Sequence, residues 1–335
     1  MNLANAVPLS AREAINNYED IVKDYDNKYQ LVFKFNSDYQ TLRLAQIEVL
    51  NYDVEINIPE VVESFGYSYP VTTIGQWEYS EDSTNEVDFE SQYDFCSVFD
   101  IDNDAGQFNQ YIKKIFIPNS VTTILPRAFD VSTFVDTKNE VVFKSINVPN
   151  SVTVIGAYAF QYTKIISVTI PNSVTRIYND TFNHCQSLES VVIGKNVLEL
   201  GNNAFGDTPS LSKIYAESER VPNASDSAFP SDCAATVFVP NGLLADYEGN
   251  WGKFSQLKFE ELDPGQTSTV NAVKSSDLHL NISGRTISAE ASSPISIFDL
   301  SGRSVVKPSQ SINDVLSPGI YIVYSAAETR MILIK

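Results

Sequence analysis

Few side chains in this chain of 335 residues could carry out catalysis. It has two histidines, His184 and His279, and three cysteines, Cys96, Cys185 and Cys233, which lie far apart in the sequence. A Ser/His/Asp or Cys/His arrangement would have to join distant parts of the chain, and the sequence lacks the motifs of metalloproteases, serine hydrolases and nucleotide-binding loops. Paired carboxylates for glycoside hydrolysis stay open, because 42 acidic residues always offer pairs. We predict a protein that is not an enzyme and that holds no cofactor.

The densest group of potential ligand atoms lies in residues 80–110, which contain nine acidic residues and no Lys or Arg. Asp100, Asp102 and Asp104 are spaced like the first three ligands of a calcium loop. Such a loop needs a glycine next and a glutamate at its end, whereas Gly106 comes one place late and Tyr111 stands at the final position. The pattern favours a solvated acidic loop. It leaves open a weak calcium site or a recognition loop for a basic partner.

For the recognition loop, the candidate residues are acids in the middle of this segment and the tryptophan before it: Glu86, Asp88, Glu90, Asp94 and Trp77. The segment also contains aromatic residues, among them Phe95 and Phe99. Because low hydrophobicity is what keeps acidic segments disordered, these aromatics predict that it folds back on the rest of the chain.

Charge and hydropathy exclude several classes of partner. The chain has 23 Lys and Arg against 42 Asp and Glu, a formal net charge of -19, so nucleic acid and anionic membranes are not expected ligands. The cysteine spacing indicates neither a disulfide framework nor a zinc site. No apolar run is long enough for a transmembrane segment, and the first residues lack the basic and apolar regions of a signal peptide. The chain is therefore either cytoplasmic or the mature form of an exported protein.

The element that must position any site is a sequence repeat. The motif Ile/Val-Pro-Asn-Ser-Val-Thr-x-Ile begins at Ile117, Val148 and Ile170, and a looser copy begins at Ile193. Each copy leads to a phenylalanine, and a degenerate copy leads to one more, so that five phenylalanines form the predicted structural core: Phe129, Phe160, Phe182, Phe205 and Phe229. They are spaced by 31, 22, 23 and 24 residues. A period near 23 residues predicts a solenoid in which each coil contributes short strands and one interior phenylalanine.

This motif closely resembles the BspA-like leucine-rich repeats of bacterial surface proteins. The resemblance covers roughly residues 50–260 and includes a lead-in ending at Ile74, after which Tyr79 is expected at the phenylalanine position. It implies that Cys185, which occupies the cysteine position of the repeat, faces the solenoid interior, so that we count it with the structural core and not as a reactive thiol.

The flanking regions are predicted to form separate units. Residues 1–50 are expected to be an N-terminal cap, with a helix over residues 9–22 that begins in a capping box at Ser10 and Glu13, followed by strands at 31–35 and 41–45. The solenoid is predicted over 51–262, with the acidic insertion at 80–110 and a terminal cap in which Tyr247 and Trp251 pack. Residues 263–271 form a linker by composition.

Residues 272–335 alternate short apolar strands with glycine turns, which predicts a small antiparallel β-sandwich. Their sequence resembles the C-terminal sorting domain of type IX secretion cargo. That resemblance implies an exported protein at the cell surface or outside the cell, without its signal peptide in this sequence.

The predicted fold is an α/β-repeat solenoid, mostly β, with an N-terminal helix and strand cap and a C-terminal antiparallel β-sandwich. We predict a monomeric, non-enzymatic surface or secreted binding protein that adheres to another protein through the solenoid. The alternatives are a structural surface-layer component or a glycan-binding protein. Glycan binding would need exposed aromatic residues, for which the candidates are Trp77, Tyr158, Tyr162, Tyr178 and Trp251.

Overall fold

The structure is a computed structural model. It describes residues 21–25, 28–36, 38, 40–49, 54–64, 66–77, 95–99, 110–132, 141–262, 279–283, 286–299, 304–315, 319–324 and 329–334.

The strands up to the acidic segment are β1 (Ile21–Tyr25), β2 (Tyr29–Phe35), β3 (Leu42–Val49), β4 (Val54–Asn57), β5 (Val61–Ser64), β6 (Tyr67–Ile74), β7 (Gln76–Trp77) and β8 (Phe95–Cys96). The alternating residues predicted as strands at 31–35 and 41–45 lie in β2 and β3, which pair antiparallel. β1 pairs with β2, and β3 continues in parallel onto β6. The N-terminal strands therefore extend a sheet of the solenoid.

The helix predicted over 9–22 is wrong at its end. Ile21 and Val22 belong to β1, where Ile21 is buried opposite Phe33 and Val22 is exposed. Ile21 and Val22 fit the helical spacing counted from Ser10, but in the structure they follow the alternation of a strand, with one side chain buried and the next exposed. The sequence pattern alone did not distinguish the two periodicities. The start of the predicted helix lies outside the described residues.

The solenoid strands are β9 (Gln110–Phe116), β10 (Thr123–Ile124), β11 (Val141–Phe143), β12 (Ile146–Asn147), β13 (Val154–Ile155), β14 (Ser167–Ile170), β15 (Arg176–Ile177), β16 (Ser190–Ile193), β17 (Glu199–Leu200), β18 (Lys213–Ala216), β19 (Asn223–Ala224), β20 (Thr236–Val239) and β21 (Lys258–Glu261). From β14 to β19 each coil contributes one four-residue strand and one two-residue strand. The longer strands, together with the two-residue β12, form the parallel ladders β4-β9-β12 and β14-β16-β18-β20-β21, and the short strands, together with the end of the longer β6, form β6-β10-β13 and β15-β17-β19. The fold class predicted from the repeat is confirmed.

The interior is organised by a ladder of phenylalanine rings. Phe129, Phe160, Phe182, Phe205 and Phe229 are buried, and their ring centroids follow one another at 5.3, 5.3, 5.4 and 5.4 Å with interplanar angles of 11° or less. The backbone at these positions is equally regular, because each phenylalanine N–H donates to the residue before the next phenylalanine, as from Phe182 to Ala204 at 2.9 Å. The predicted structural core is thus where the repeat placed it.

The expectation for Tyr79 is wrong. In the coil before Phe129, Val98 occupies the phenylalanine position of the repeat. Its N–H donates to the carbonyl of Ala128 at 2.9 Å, just as the Phe129 N–H donates to the carbonyl of Ala159 at 2.8 Å. Phe99, also buried, extends the aromatic core at 6.3 Å from Phe129. Counting residues from Ile74 failed because β7 pairs directly with β8, with Trp77 opposite Phe95, so that neighbours in the coil are far apart in sequence. Residue 79 itself lies outside the described residues.

A helical cap closes the C-terminal end of the solenoid. The helix α1 (Leu244–Trp251) buries Tyr247 and Trp251. The Trp251 Nε1–H donates to the carbonyl of Pro222, and the Tyr247 hydroxyl donates to the carbonyl of Ser218, both at 2.8 Å. Because both aromatics are fully buried, Trp251 cannot serve as a sugar platform, and its assignment to packing is confirmed.

The C-terminal strands are β22 (His279–Ser283), β23 (Thr286–Asp299), β24 (Ser304–Val315), β25 (Gly319–Tyr324) and β26 (Thr329–Ile334). All pair antiparallel within one hydrogen-bonded sheet. β23 is one long strand, and its ladder with β24 is irregular between Glu290 and Ile295. That irregularity surrounds Pro294, which cannot donate to the ladder.

Candidate functional site

The structure leaves most of the predicted recognition and metal residues without geometry. Glu86, Asp88, Glu90 and Asp94, and likewise the calcium candidates Asp100, Asp102 and Asp104, lie outside the described residues. Trp77 is placed by its backbone alone, at the end of β7. Where the chain is described, no group of three or more His, Cys, Asp or Glu residues could hold a metal ion. Recognition by the acidic segment and calcium binding therefore stay predictions.

Cys185 is an interior residue, as the repeat implied. Its thiol is completely buried and donates to the carbonyl of Phe160 at 3.1 Å, with the Thr163 hydroxyl 3.3 Å away. Burial raises the pKa of the Cys185 thiol to about 12. Because the thiolate is the reactive form, this cysteine is inert at neutral pH.

His184, next in sequence to Cys185, points to the outside. Its imidazole stacks on the ring of Tyr162 at a centroid distance of 4.3 Å, and Nδ1 lies 2.5 Å from Asp207 Oδ2. Tyr162, His184 and Asp207 occupy the same position in three successive coils. The three side chains therefore contact one another along the solenoid axis.

This row is one of two with an unusual backbone. Among the residues that the structure describes, seven non-glycine residues have a positive φ between 43° and 61°, and they fall at two repeat positions, four residues apart: Arg127, Tyr158, Asp180 and Asn203 at the first, and Tyr162, His184 and Asp207 at the second. We call these seven residues the left-handed edge. Asn, Asp and His enter this conformation most readily, whereas it costs a tyrosine or an arginine on the order of 1 kcal/mol or more.

Side chains of the left-handed edge are held by their neighbours. The Arg127 guanidinium lies 5.2 Å from the centre of the Tyr158 ring. The Asn183 and Asn203 amides donate to Asp180 Oδ1, at 2.8 and 3.3 Å. These contacts hold side chains of the left-handed edge in place, although most of them are only half-buried.

A cleft opens where the left-handed edge meets the C-terminal cap. It has a volume of 480 Å³, and its lining includes Asn183, Asn203, Asp207, Asp226, Ser227 and Lys253. Lys253 Nζ donates to Asp226 Oδ1 at 2.7 Å and to the carbonyl of Ala224 at 2.6 Å. We call this the terminal cleft.

The outer face of the longer strands is a second surface. Facing away from the phenylalanine core, Phe116, Asn147, Thr169, Val192, Tyr215, Phe238 and Glu260 follow one another across the strands. Tyr215 and Phe238 stack at 4.9 Å. Val192 and Tyr215 are nearly covered, whereas Phe116, Thr169 and Phe238 are half-buried. We call this row the outer sheet row.

Two charged groups beside the outer sheet row are perturbed by burial. Lys114 lies with Nζ 4.3 Å from the centre of the Phe116 ring, and burial lowers the pKa of its ammonium against the opposing effect of Glu55. Burial raises the pKa of Glu217 to about 7, since Lys195 offsets only part of the desolvation. Glu217 Oε1 has no hydrogen-bond partner in the described structure.

Comparison with known proteins identifies the repeat. Six copies of the BspA type leucine rich repeat region match this chain over residues 60–139 and 109–236, which is more than half of it. The chain belongs to the BspA-type leucine-rich repeat family. A search of curated proteins found no match.

Several solved structures are similar to the BspA-type chain. A T. pallidum leucine-rich repeat protein is 17% identical with a TM-score of 0.38, over 72% of this chain and 98% of its own. One from Bacteroides capillosus is 20% identical with a TM-score of 0.30, over 58% and 98%. A leucine rich cell surface protein from Faecalibacterium prausnitzii is 19% identical with a TM-score of 0.26, over 66% and 70%.

The terminal cleft of this BspA-type solenoid was not predicted from the sequence. Its residues come from three coils and the cap, and none belongs to a known motif. A partial signal existed, because Asn-Asn and Asn-Asp pairs before the Ala/Thr-Phe of the repeat favour a left-handed turn at Asn203 and Asp180.

No helix in the part of the chain that the structure describes has the length and hydropathy to cross a membrane.

Proposed function

We propose that this chain is a non-enzymatic binding protein of the cell surface or extracellular space, whose solenoid adheres to a protein ligand. Membership of the BspA-type leucine-rich repeat family supports a protein-binding role. Solenoids of this kind present extended surfaces on which a partner contacts several coils at once. The identity of the partner and the adhesion itself belong to the proposal.

The outer sheet row is the observation that carries the proposal. It combines half-buried aromatic rings at Phe116 and Phe238 with the cation of Lys114. Protein interfaces are enriched in aromatic residues and depleted in strongly hydrated charges at their centres. The two ladders that carry this row, β4-β9-β12 and β14-β16-β18-β20-β21, have eight strands in all. At a spacing of about 4.8 Å per strand, eight strands span roughly 34 Å. This length is comparable with the width of a standard interface of about 800 Å² per partner.

The acidic segment at 80–110 supplies a second contact in the proposal. Glu86, Asp88, Glu90 and Asp94 would attract a basic partner and accelerate its association. The C-terminal module, by its resemblance to a sorting domain, would direct export. The calcium hypothesis for Asp100, Asp102 and Asp104 predicts heat on calorimetric titration with calcium, and its absence would remove the metal from the proposal.

The test is an array of extracellular matrix proteins probed with the full chain. A variant in which Glu86, Asp88, Glu90 and Asp94 become their amides keeps the chain length and removes four charges. Deleting the whole of 80–110 is unsuitable, because Val98 and Phe99 lie in the solenoid core. The matched control replaces four exposed acids elsewhere by their amides: Glu219, Asp232, Asp246 and Glu248.

We expect at least one matrix protein to bind, with an affinity that falls as salt rises, because exposed charges are screened beyond about 8 Å at physiological ionic strength. The acidic-segment variant is expected to lose both affinity and salt dependence, and the control variant neither. Phe116→Asp and Phe238→Asp should abolish binding through the outer sheet row. An array without any bound protein, or binding indifferent to all these variants, would reject the proposal.

A further inference from the structure

We propose that the terminal cleft is a binding site for a neutral carbohydrate, a ligand class separate from the protein partner. The cleft lies on the left-handed edge and the cap, away from the outer sheet row. Its volume of 480 Å³ falls within the range of about 300 to 1,000 Å³ that small-molecule sites occupy. That volume suits one or two sugar rings.

The charges in the cleft argue for a neutral ligand. Each carboxylate already contacts a basic side chain, since Asp226 accepts from Lys253 at 2.7 Å and Asp207 lies 2.5 Å from His184 Nδ1. A cationic ligand would have to displace one of these contacts, and an anionic ligand would meet two carboxylates. The cleft therefore differs from the acidic segment, whose acids have no Lys or Arg beside them in sequence.

The uncharged lining offers the groups that a sugar needs. Asn183 and Asn203 contribute amides, and Ser227, Ser231 and Ser255 contribute hydroxyls that both donate and accept. Phe229, Pro230 and Phe254 form an apolar part of the wall. A pyranose presents a rim of hydroxyls and an apolar C–H face, so it can use both parts of this lining.

The amides are fixed before any ligand arrives. Asp180 holds the amide nitrogens of Asn183 and Asn203. Gly206 makes room for Asn183, because a Cβ at residue 206 would lie 2.7 Å from Asn183 Oδ1 and 2.9 Å from Asn203 Cβ. Side chains that are already ordered lose little conformational entropy on binding, which favours affinity for a small ligand.

The probe is an array of neutral oligosaccharides of hexoses and N-acetylhexosamines, with sulfated glycans and an oligolysine peptide as charged comparators. The full chain is compared with Asn203→Gly and Gly206→Ala. Asn203 has a positive φ of 49°, so glycine removes the amide without backbone strain. Tyr158→Gly is the matched control, since Tyr158 has a φ of 61° at the same repeat position but does not line the cleft.

We expect at least one neutral glycan to bind, with an affinity unchanged between about 50 and 500 mM salt. Asn203→Gly and Gly206→Ala should each weaken it at least about tenfold, which corresponds to 1.4 kcal/mol, and Tyr158→Gly should not. Thermal unfolding of each variant checks that it folds. Binding of only the charged probes, no binding at all, or equal binding by both cleft variants and wild type would overturn the site. Matrix-protein binding should survive in the cleft variants, so the two proposals fail separately.

Discussion

Truncation of Phe182 tests how much of the stability of the solenoid depends on its aromatic ladder. The ring is completely buried and stacks on Phe160 at 5.3 Å and on Phe205 at 5.4 Å. Each coil contacts mainly its neighbours, so a hole in the middle of the ladder weakens the interfaces on both sides of that coil. Phe182→Ala is therefore expected to destabilise the solenoid strongly.

The size of this effect follows from burial. A phenylalanine side chain buries roughly 150 to 250 Å², which at about 25 cal/mol per Å² stabilises by roughly 4 to 6 kcal/mol as an upper bound. The alanine side chain keeps part of this burial free energy, whereas the cavity left by the ring adds a further loss of stability. Phe182→Ala is therefore expected to lower the free energy of unfolding by about 3 to 5 kcal/mol. Phe182→Leu keeps most of the apolar volume and should cost under about 1.5 kcal/mol.

Urea unfolding followed by circular dichroism measures these differences, provided that the slope of the transition is unchanged. Phe238→Ala is the control, because Phe238 is half-buried on the outer sheet row and, among the described residues, stacks on the ring of Tyr215 alone. It should cost about 1 kcal/mol. A loss below about 2 kcal/mol for Phe182→Ala, or a loss equal to that of Phe238→Ala, would refute the role assigned to the ladder.

Three further predictions concern single groups. Tyr247→Phe removes the buried hydrogen bond to Ser218 and should cost about 1 to 2 kcal/mol in urea unfolding. Glu217→Gln should stabilise the protein at pH 8 by up to about 3 kcal/mol and leave it unchanged at pH 4, measured as the difference from wild type. Cys185 should not react with a thiol reagent at pH 8 until the protein is denatured, because burial raises the pKa of its thiol to about 12.

The sign for Glu217 follows from its raised pKa. The folded protein holds this proton up to a pKa of about 7, whereas the unfolded chain releases it near 4.5. The folded state therefore binds more protons between these values, and stability falls as pH rises from about 4.5 to 7. A Glu217→Gln variant with the same pH dependence as wild type would contradict this assignment. An unchanged urea midpoint in Tyr247→Phe would contradict the stabilising role of the hydrogen bond to Ser218. Rapid labelling of Cys185 in the native protein would contradict the inertness assigned to its thiol.

The repeat could be predicted because its period is carried by residues that the solenoid buries. Phe160, Phe182 and Phe205 recur at 22 and 23 residues, and each coil places them against the previous one. Tyr79 was misassigned since residue counting assumes a continuous coil, and only pairing in space shows that Val98 takes this position. Local periodicity also could not separate strand from helix at Ile21, whose burial depends on Phe33.

The terminal cleft shows a different limit. Its residues are common polar types, and what brings them together is the stacking of one coil on the next and the cap that follows. The left-handed turn at Asn203 could be expected from its residue type, whereas that at Tyr158 could not, since tyrosine seldom adopts it. The contact of Lys253 with Asp226 joins the cap to the last coil and has no sequence signature.

The pairing of β7 with β8 suggests how such solenoids acquire new surface segments. Trp77 pairs with Phe95, so residues 77 and 95 meet at one point of the coil, and the hydrogen bonding of the coil continues from Val98. Each doubling of a flexible loop costs only about 0.6 kcal/mol in closure entropy. An insertion at this point can therefore change in length and sequence with little effect on the stacked coils. The same site would accept a grafted peptide epitope, or a foreign binding loop, in an engineered display scaffold.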